Sequence, residues 1–398
     1  MALLVSVLML IPAGILCLLC AVLWLECWGA TIARSQPLSR TLGMPKTVVL
    51  IPAHNEAEGI AATIKPILLE LPEAAEILVI ADNCTDDTAA IARNLGVKVL
   101  EREDPEHRGK GYALDFGLQH LAPDPPAVVV MVDADCDVQM GTIEQIAKQA
   151  VGLQRPVQAL YLMAKPSQPQ PKDAVSAFAF KVKNLVRPLG LWQLQQPCLL
   201  TGTGMAFPWE VLPQISLASG NIVEDMQLGL DLAIAGYPPQ FSPTTLVMGR
   251  LPSQGKAATT QRTRWEHGHL QTLFKTVPRL IGAGLKQGRF DLIALALELA
   301  VPPLTLLVLL WGAVMGLSLV FWGLGWSLAW PVVGTALAGL LLFTAIFTAW
   351  LRFGRQDLSP RMLFSIPFYI LWKIPLYFRF LTRPESQWVR TERDRTDG

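Results

Sequence analysis

Charge is scarce in this sequence. Of 398 residues only 16% are Asp, Glu, Lys or Arg, and the formal net charge is +1. A chain this close to neutral has no basic footprint for a nucleic-acid partner, and none is expected. Cysteine is sparse as well. The six cysteines are scattered, without the spacing of a secreted disulfide framework. Cys17 and Cys20 form a C-x-x-C, but inside an apolar run where a zinc or redox role is not expected. Cys84, Cys136 and Cys198 lie in polar stretches, and free thiols there imply a reducing, cytoplasmic setting. Also missing is the positive start and short apolar core of a cleaved signal peptide. What fills the space is hydrophobic residue, 52% of the chain and unevenly spread. The length predicts two or three structural units.

The apolar excess sits at the two ends. Ala2 to Leu25 carries no charge and is long enough to cross a bilayer, so residues 1–28 read as a retained transmembrane helix. Arg34, Arg40 and Lys46 follow, with no acid from Thr31 to Lys46. By the positive-inside tendency that side is cytoplasmic, and the expected location is multi-pass in the inner (plasma) membrane. Near the other end, Glu298 is the one charge between Leu292 and Leu351. Sixty helical residues would span ~90 Å, and one crossing needs ~20 residues. Residues 299–351 therefore read as two crossings with a turn at Gly323-Leu324-Gly325-Trp326, entered at Pro302-Pro303. Residues 276–298 read as an interfacial helix region. Residues 359–381 contain an aromatic stretch, Met362 to Phe378, that carries Lys373 and is flanked by Arg352, Arg355, Arg361, Arg379 and Arg383. This segment reads as interfacial, with a full span as the alternative. A polar cytoplasmic tail, 382–398, closes the chain.

Between the apolar ends the texture alternates. Thr47–Pro52, Ile77–Ala81, Val97–Leu100 and Val128–Val132 read as strands. Helices are expected from Asn55 to about Glu70, over Thr88–Leu95 and over Tyr112–Leu121. Strand–helix alternation predicts right-handed crossovers and a mostly parallel α/β sheet. The polar turns at His54–Glu58, Asp82–Asp87 and Asp133–Asp137 then gather beyond one edge of the sheet, where ligands bind in such folds. The last of these follows a fully apolar strand with three acids in five residues. Asp133 and Asp135 can hold a hard divalent cation, and through it a diphosphate. A polar turn that only caps the strand is the other reading. From Gly141 to Gly249 helix and irregular structure are expected, with a glycine-bearing turn at Thr201-Gly202-Thr203-Gly204 and a helix from Met226 to Ala235 headed by Glu224-Asp225.

Single motifs have plain alternatives: Asp82 as a helix cap, Glu224-Asp225 as helix-dipole partners, Arg264-Trp265 as a cation–π pair. Their order is more specific. Pro52-Ala53-His54-Asn55-Glu56, Asp82-Asn83-Cys84-Thr85-Asp86, Lys110, Asp133-Ala134-Asp135, Glu224-Asp225 and Gln261-Arg262-Thr263-Arg264-Trp265 follow one another. That series resembles the membrane-bound family 2 glycosyltransferases, relatives of the cellulose, hyaluronan, chitin and poly-N-acetylglucosamine synthases and of ceramide glucosyltransferases.

The resemblance implies a GT-A, Rossmann-like domain over residues 45–275 and an inverting hexosyltransferase that uses a UDP-sugar. It implies Asp225 as catalytic base, coupled to Glu224. It implies donor binding by Pro52, His54, Glu56, Asp82, Lys110, Asp133, Gln261, Arg262 and Arg264. Mg2+ or Mn2+ would sit on Asp133 and Asp135, and the acceptor would lie near Thr203, Gly204 and Trp265. The implied product is a growing saccharide, with single transfer to a lipid as the alternative. Membrane lipids and an accessory export subunit are the expected partners. Val223 departs from the Thr-Glu-Asp of many polymerising members, which leaves the acceptor class open.

Overall fold

The computed structural model describes the backbone of residues 1–33, 43–164, 171–215, 217–218, 223–249 and 255–382. The side chains of 171, 255–262 and 381 lie outside that description. Arg34, Arg40 and the expected tail beyond 382 fall outside the described residues. The chain opens with α1 (Ala2–Ile32). An alternating series follows: β1 (Thr47–Ala53), α2 (Ile60–Glu70), β2 (Ala75–Asp82), α3 (Thr88–Asn94), β3 (Lys98–Arg102), α4 (Lys110–Leu121) and β4 (Val128–Met131). Next come β5 (Cys136–Val138), α5 (Thr142–Leu153), β6 (Val157–Met163), α6 (Pro171–Lys181), α7 (Arg187–Gln193), β7 (Met205–Pro208), α8 (Glu224–Ile234) and β8 (Gln240–Gly249). The rest is helical: α9 (Gly255–Gln287), α10 (Phe290–Ala300), α11 (Leu304–Gly323), α12 (Trp330–Ala349) and α13 (Ile366–Thr382).

Two compact units result. Residues 43–164 and 197–268 form a sheet unit, and residues 1–33, 171–196 and 269–382 form a helical one. The segment 171–196 lies inside the span expected to be one α/β domain, yet it belongs to the helical unit.

In the sheet unit the strand order is β3-β2-β1-β4-β7-β6-β8-β5. β1 pairs in parallel with β2 and β4, β2 with β3, and β6 with β8, while β7 runs antiparallel to β4 and β6. Strand residues alternate between faces. Val48, Leu50, Leu78, Ile80, Val129 and Met131 pack against Ala113, Leu114 and Leu121 of α4, and Val49, Ile51, Val79 and Val130 are buried on the other face. Both faces are covered, as the unbroken apolar run in β4 requires. Gly117 of α4 sits on Leu50 and Ile80, where a Cβ would stand 2.8 Å from Leu50 Cδ1.

The expectation of helix and irregular structure over 141–249 needs correction, because β6, β7 and β8 lie there. β7 is four residues long, and β8 opens with Gln-Phe-Ser-Pro-Thr-Thr, a loop composition. β8 stays in register with β6 only across an irregularity that loops out residues 243–245, and Pro243, which cannot donate to the ladder, sits in that bulge.

In the helical unit α1, α11 and α12 (the last extended to Gly354) are long and apolar enough to cross a membrane. α13 is a helix of 17 residues, ~26 Å long at ~1.5 Å per residue. Its buried stripe is Tyr369, Lys373 and Tyr377, and Phe368, Leu371, Trp372 and Phe378 are exposed. The helices meet through Leu16, Cys20 and Leu23 of α1, Phe178 of α6, Leu307 of α11, and Leu342 and Ala345 of α12. One buried polar joint crosses them. Arg187 Nε donates to Glu26 at 2.6 Å, and its Nη2 donates to the Glu298 carboxylate at 2.6 Å and carbonyl at 2.8 Å. Buried charges are tolerated when paired in this way.

Beside that joint Gly190 lies directly on α1. A Cβ there would stand 1.9 Å from the Glu26 carbonyl oxygen, and backbone cannot swing aside. Gly190→Ala is expected to cost about 3 kcal/mol or more, seen as a lowered melting temperature in detergent. Gly312→Ala in α11, which meets nothing within 4 Å, should melt like wild type. Equal melting of the two variants would refute this packing.

Candidate active site

At the carboxyl ends of β1 and β2 two turns are tied together. Asn55 follows β1 and takes a left-handed backbone, φ 54°. Its side-chain oxygen accepts from the Thr85 amide at 2.7 Å, and its Nδ2 donates to Thr85 Oγ1 at 3.1 Å. The Glu56 amide donates to Thr88 Oγ1 at 2.7 Å, and the Ala57 amide to Asp86 Oδ2 at 3.1 Å. Asp86 also accepts from the Thr88 amide at 3.0 Å. Burial works to raise the Asp86 carboxyl, but the bonds from Thr88 and the Ala57 amide outweigh it and hold it below the usual carboxylate range.

These ties correct the expected start of α2. Asn55 to Gly59 form a turn, and the helix begins at Ile60. The acids read as a first helical turn belong to the loop, where the amides of Glu56 and Ala57 are bound by Thr88 and Asp86 of the following turn. The third turn joins through Thr63, whose hydroxyl donates to the Ala134 carbonyl at 2.8 Å.

Asp82 ends β2 and is nearly buried. Arg102, at the end of β3, donates to its Oδ1 at 2.7 Å, with a further bond at 2.9 Å to Asp104 Oδ2. Tyr112 covers the guanidinium at 5.8 Å. His54 Nδ1 lies 2.7 Å from the Asp82 carbonyl. Pro52 pairs with Ile80 within β1 and β2.

The reactive side is arranged around one ammonium. Lys110 opens α4, makes an ion pair with Asp133, and donates to the Gly202 carbonyl at 2.5 Å. Glu224 Oε1 stands 4.0 Å from it. Asp225 is on the same spot: a Cβ on Gly202 would lie 3.2 Å from Asp225 Oδ2 and 3.7 Å from Lys110 Nζ. Gly202 has φ +94°, so only glycine leaves the space for Asp225 without strain. Glu224 and Asp225 begin α8, whose amide dipoles favour negative charge there.

Burial pushes the Glu224 carboxyl up to about 7, and the Asp225 charge adds to it. Burial also raises Asp133, against the pull of Lys110. Burial alone would lower Lys110, but Asp133, Glu224 and Asp225 outweigh it and hold the ammonium above its usual range.

Asp133, Asp135 and Cys136 offer ligand atoms within 4.8 Å of one another. Burial, then the Asp135 charge, holds the Cys136 thiol far above its usual range, and a soft sulfur is a poor match for a hard divalent ion in any case. The donor set that remains is two carboxylates. That suits a hard divalent ion completed by water or phosphate oxygens.

Thr203 is 0% exposed, and its hydroxyl accepts from the Asp133 amide at 3.0 Å. Gly204 (φ +64°) packs against Val247 and Ala159. These two residues therefore support the turn from beneath, and Gly202 is the one that meets the acids. Arg264 and Trp265 are half-buried on α9. The side chains of Gln261 and Arg262 lie outside the described residues. One turn past Arg264, on the same face, Gly268 packs on Val223, next to Glu224. Asn55, Asp86, Thr88, Arg102 and Gly202 were not singled out from sequence. Asn55 stands within the Pro52–Glu56 motif and Thr88 at a helix start, whereas Arg102 has no local signal and is found only through its contact with Asp82.

Comparison with known proteins fits this geometry. A family profile described as "Glycosyltransferase like family 2" matches residues 45–268. The probable glycosyltransferase YdaM of Bacillus subtilis is 25% identical over 276 residues, 63% of this chain and 61% of that protein. The poly-beta-1,6-N-acetyl-D-glucosamine synthase of Staphylococcus aureus is 23% identical over 273 residues, 63% of this chain and 60% of that one. The matches thus span about three-fifths of these relatives' length. Among solved structures, a mannosyltransferase from Pyrobaculum calidifontis in complex with GDP-Man and Mn2+ aligns over 94% of this chain and all of its own, with TM-score 0.55 and 19% identity. That likeness concerns the fold.

The stitching of the turns after β1 and β2 can be tested directly. Thr88→Val removes the acceptor of the buried Glu56 amide and should cost about 1–3 kcal/mol in denaturant unfolding, with Thr88→Ser near wild type. A valine variant as stable as the serine one would show that this tie carries nothing.

Proposed function

The chain belongs to the family 2-like glycosyltransferases, and from that premise we propose that it transfers a sugar, with inversion, from a UDP-sugar to a growing saccharide. The observation that carries this reading is the placement of Asp225 beside Lys110 and Asp133. A base and a diphosphate-binding group thus stand within one sugar's reach of each other. In one displacement the acceptor oxygen bonds to the anomeric carbon as the bond from that carbon to the diphosphate breaks. Asp225 takes the acceptor's proton, and Lys110 offsets charge building on the diphosphate. Asp82, oriented by Arg102, and Glu56 hold the nucleoside end. Arg264 offers a fixed guanidinium for phosphate oxygens, and Trp265 an aromatic face for the acceptor ring. A Mg2+ or Mn2+ ion on Asp133 and Asp135 supplies Lewis-acid stabilisation of the leaving group when bound. Lys46 and the arginines after α1 favour a cytoplasmic sheet unit in an inner, multi-pass membrane setting.

Val223, buried before Glu224, leaves a lipid acceptor as the second reading. Product sizing separates the two: a ladder of oligosaccharides for the first, one sugar on a lipid for the second.

Asp225→Asn should lower kcat by about a hundredfold or more while UDP affinity by calorimetry stays unchanged. Wild-type turnover in that variant would remove the base assignment. EDTA should stop transfer and Mn2+ or Mg2+ restore it, and indifference to chelation would remove the metal role.

The pH dependence has a definite sign. The base works deprotonated, and the neighbouring Glu224 loses its proton as pH rises through about 7. The kcat/KM, which reports the free enzyme, should therefore climb through that range and level off above it. In Glu224→Gln the climb should move to lower pH, and an unmoved profile would exclude this coupling.

A further inference from the structure

Gln158 is a polar residue in the middle of the sheet. It lies on β6 between β7 and β8, opposite Met205 and Phe241, and is 2% exposed. A β-branched apolar residue would fill such a place at less cost in desolvation. Its amide is fully used. Oε1 accepts from the Thr201 amide at 2.9 Å, and Nε2 donates to the Thr203 carbonyl at 2.9 Å and to the Ala159 carbonyl at 2.8 Å. The first two bonds grip the residues on either side of Gly202. The backbone of β6 adds a third hold, the Ala159 amide on the Gly204 carbonyl at 2.8 Å.

The gripped turn has little stiffness of its own, since Gly202 and Gly204 both take left-handed backbone. Yet it presents the Gly202 carbonyl to Lys110, leaves room for Asp225, and carries the Thr203 hydroxyl that receives the Asp133 amide. Three members of the reactive cluster thus take their relative position from one turn, and the turn takes its own from Gln158.

We propose that Gln158 is a positioning residue for glycosyl transfer, whose amide fixes the 201–204 turn and so sets whether the donor sugar passes to the acceptor or to water. The proposal rests on the transfer reaction proposed above and adds a residue that touches neither substrate nor metal. A displacement of about 1 Å at a reacting centre costs on the order of a hundredfold in rate, so a loosened turn should act on turnover more than on donor affinity.

The test uses the full chain in lipid nanodiscs, with Gln158→Met as the near-isosteric variant without hydrogen bonds. Amide hydrogen exchange over residues 200–204 should speed up in the variant. The kcat should fall by about tenfold or more, UDP affinity should stay within about twofold, and the share of donor lost to hydrolysis should rise. Gln158→Glu keeps an acceptor for the Thr201 amide. It should retain exchange protection at Thr201 and more of the turnover than Gln158→Met. It also carries the test if the methionine variant does not fold. A folded Gln158→Met with wild-type exchange, kcat and hydrolysis share would overturn the proposal. So would loss of fold in both variants, which would assign Gln158 to the core of the sheet. Failure of wild type to use any nucleotide sugar would instead remove the underlying reading, and the exchange measurement would still report whether the tether exists.

Discussion

A single ammonium group is the constraint on which the site depends. Lys110 Nζ touches Asp133 and the Gly202 carbonyl and faces Glu224 and Asp225. These groups come from four separate places: the start of α4, the turn after β4, the turn before β7 and the start of α8. Without a shared cation, Asp133, Glu224 and Asp225 at such close quarters would repel one another in a medium that screens poorly. With it, Asp133, Glu224 and Asp225 are held around one point. The raised Glu224 and the raised Lys110 express the same balance from its two sides.

The sheet makes that meeting geometrically possible. β1, β2 and β4 are parallel neighbours, so their carboxyl ends, and the turns that leave them, open on one edge. The hydrogen bonds from the Thr85 amide to Asn55, from the Glu56 amide to Thr88 and from Thr63 to Ala134 then lock those turns to each other. Antiparallel β7 enters next to β4 and delivers the Thr201–Gly204 turn to the same edge, with Gln158 holding it from β6. Rigid strands carry the loops, and the loops carry the chemistry.

Much of this was legible in the chain. β4 is a pure β-branched and apolar run, and its burial on both faces was legible from that run alone. The apolar helices α1, α11 and α12 declared themselves by length and scarcity of charge, Glu26 near the end of α1 being the exception. What stayed hidden depends on partners far away in sequence. β8 carries Pro243 and two threonines, and it becomes a strand only because β6 offers a ladder with a bulge for the proline. Glu56 and Glu58 mimic an acidic first turn of α2, whereas Thr88 and Asp86 capture the Glu56 and Ala57 amides and hold that segment as a loop. Arg102 and Gln158 bear no local mark at all, since each acquires its meaning from a residue at least 20 positions away. The resemblance to family 2 enzymes located the acids and could not say what holds them together.

The central claim is that Lys110 is the common counter-ion of the acidic cluster. Its most direct test is unfolding stability as a function of pH, in EDTA, for wild type and Lys110→Met. A carboxyl whose folded value is raised loses stability as pH rises from its unfolded to its folded value, by about 1.4 kcal/mol per pH unit for each proton. For Glu224 in wild type that window runs from 4.5 to about 7. The account predicts a steeper loss in Lys110→Met that continues above pH 7, because Asp133, Glu224 and Asp225 then face one another uncompensated. Superimposable pH curves for the two proteins would contradict it.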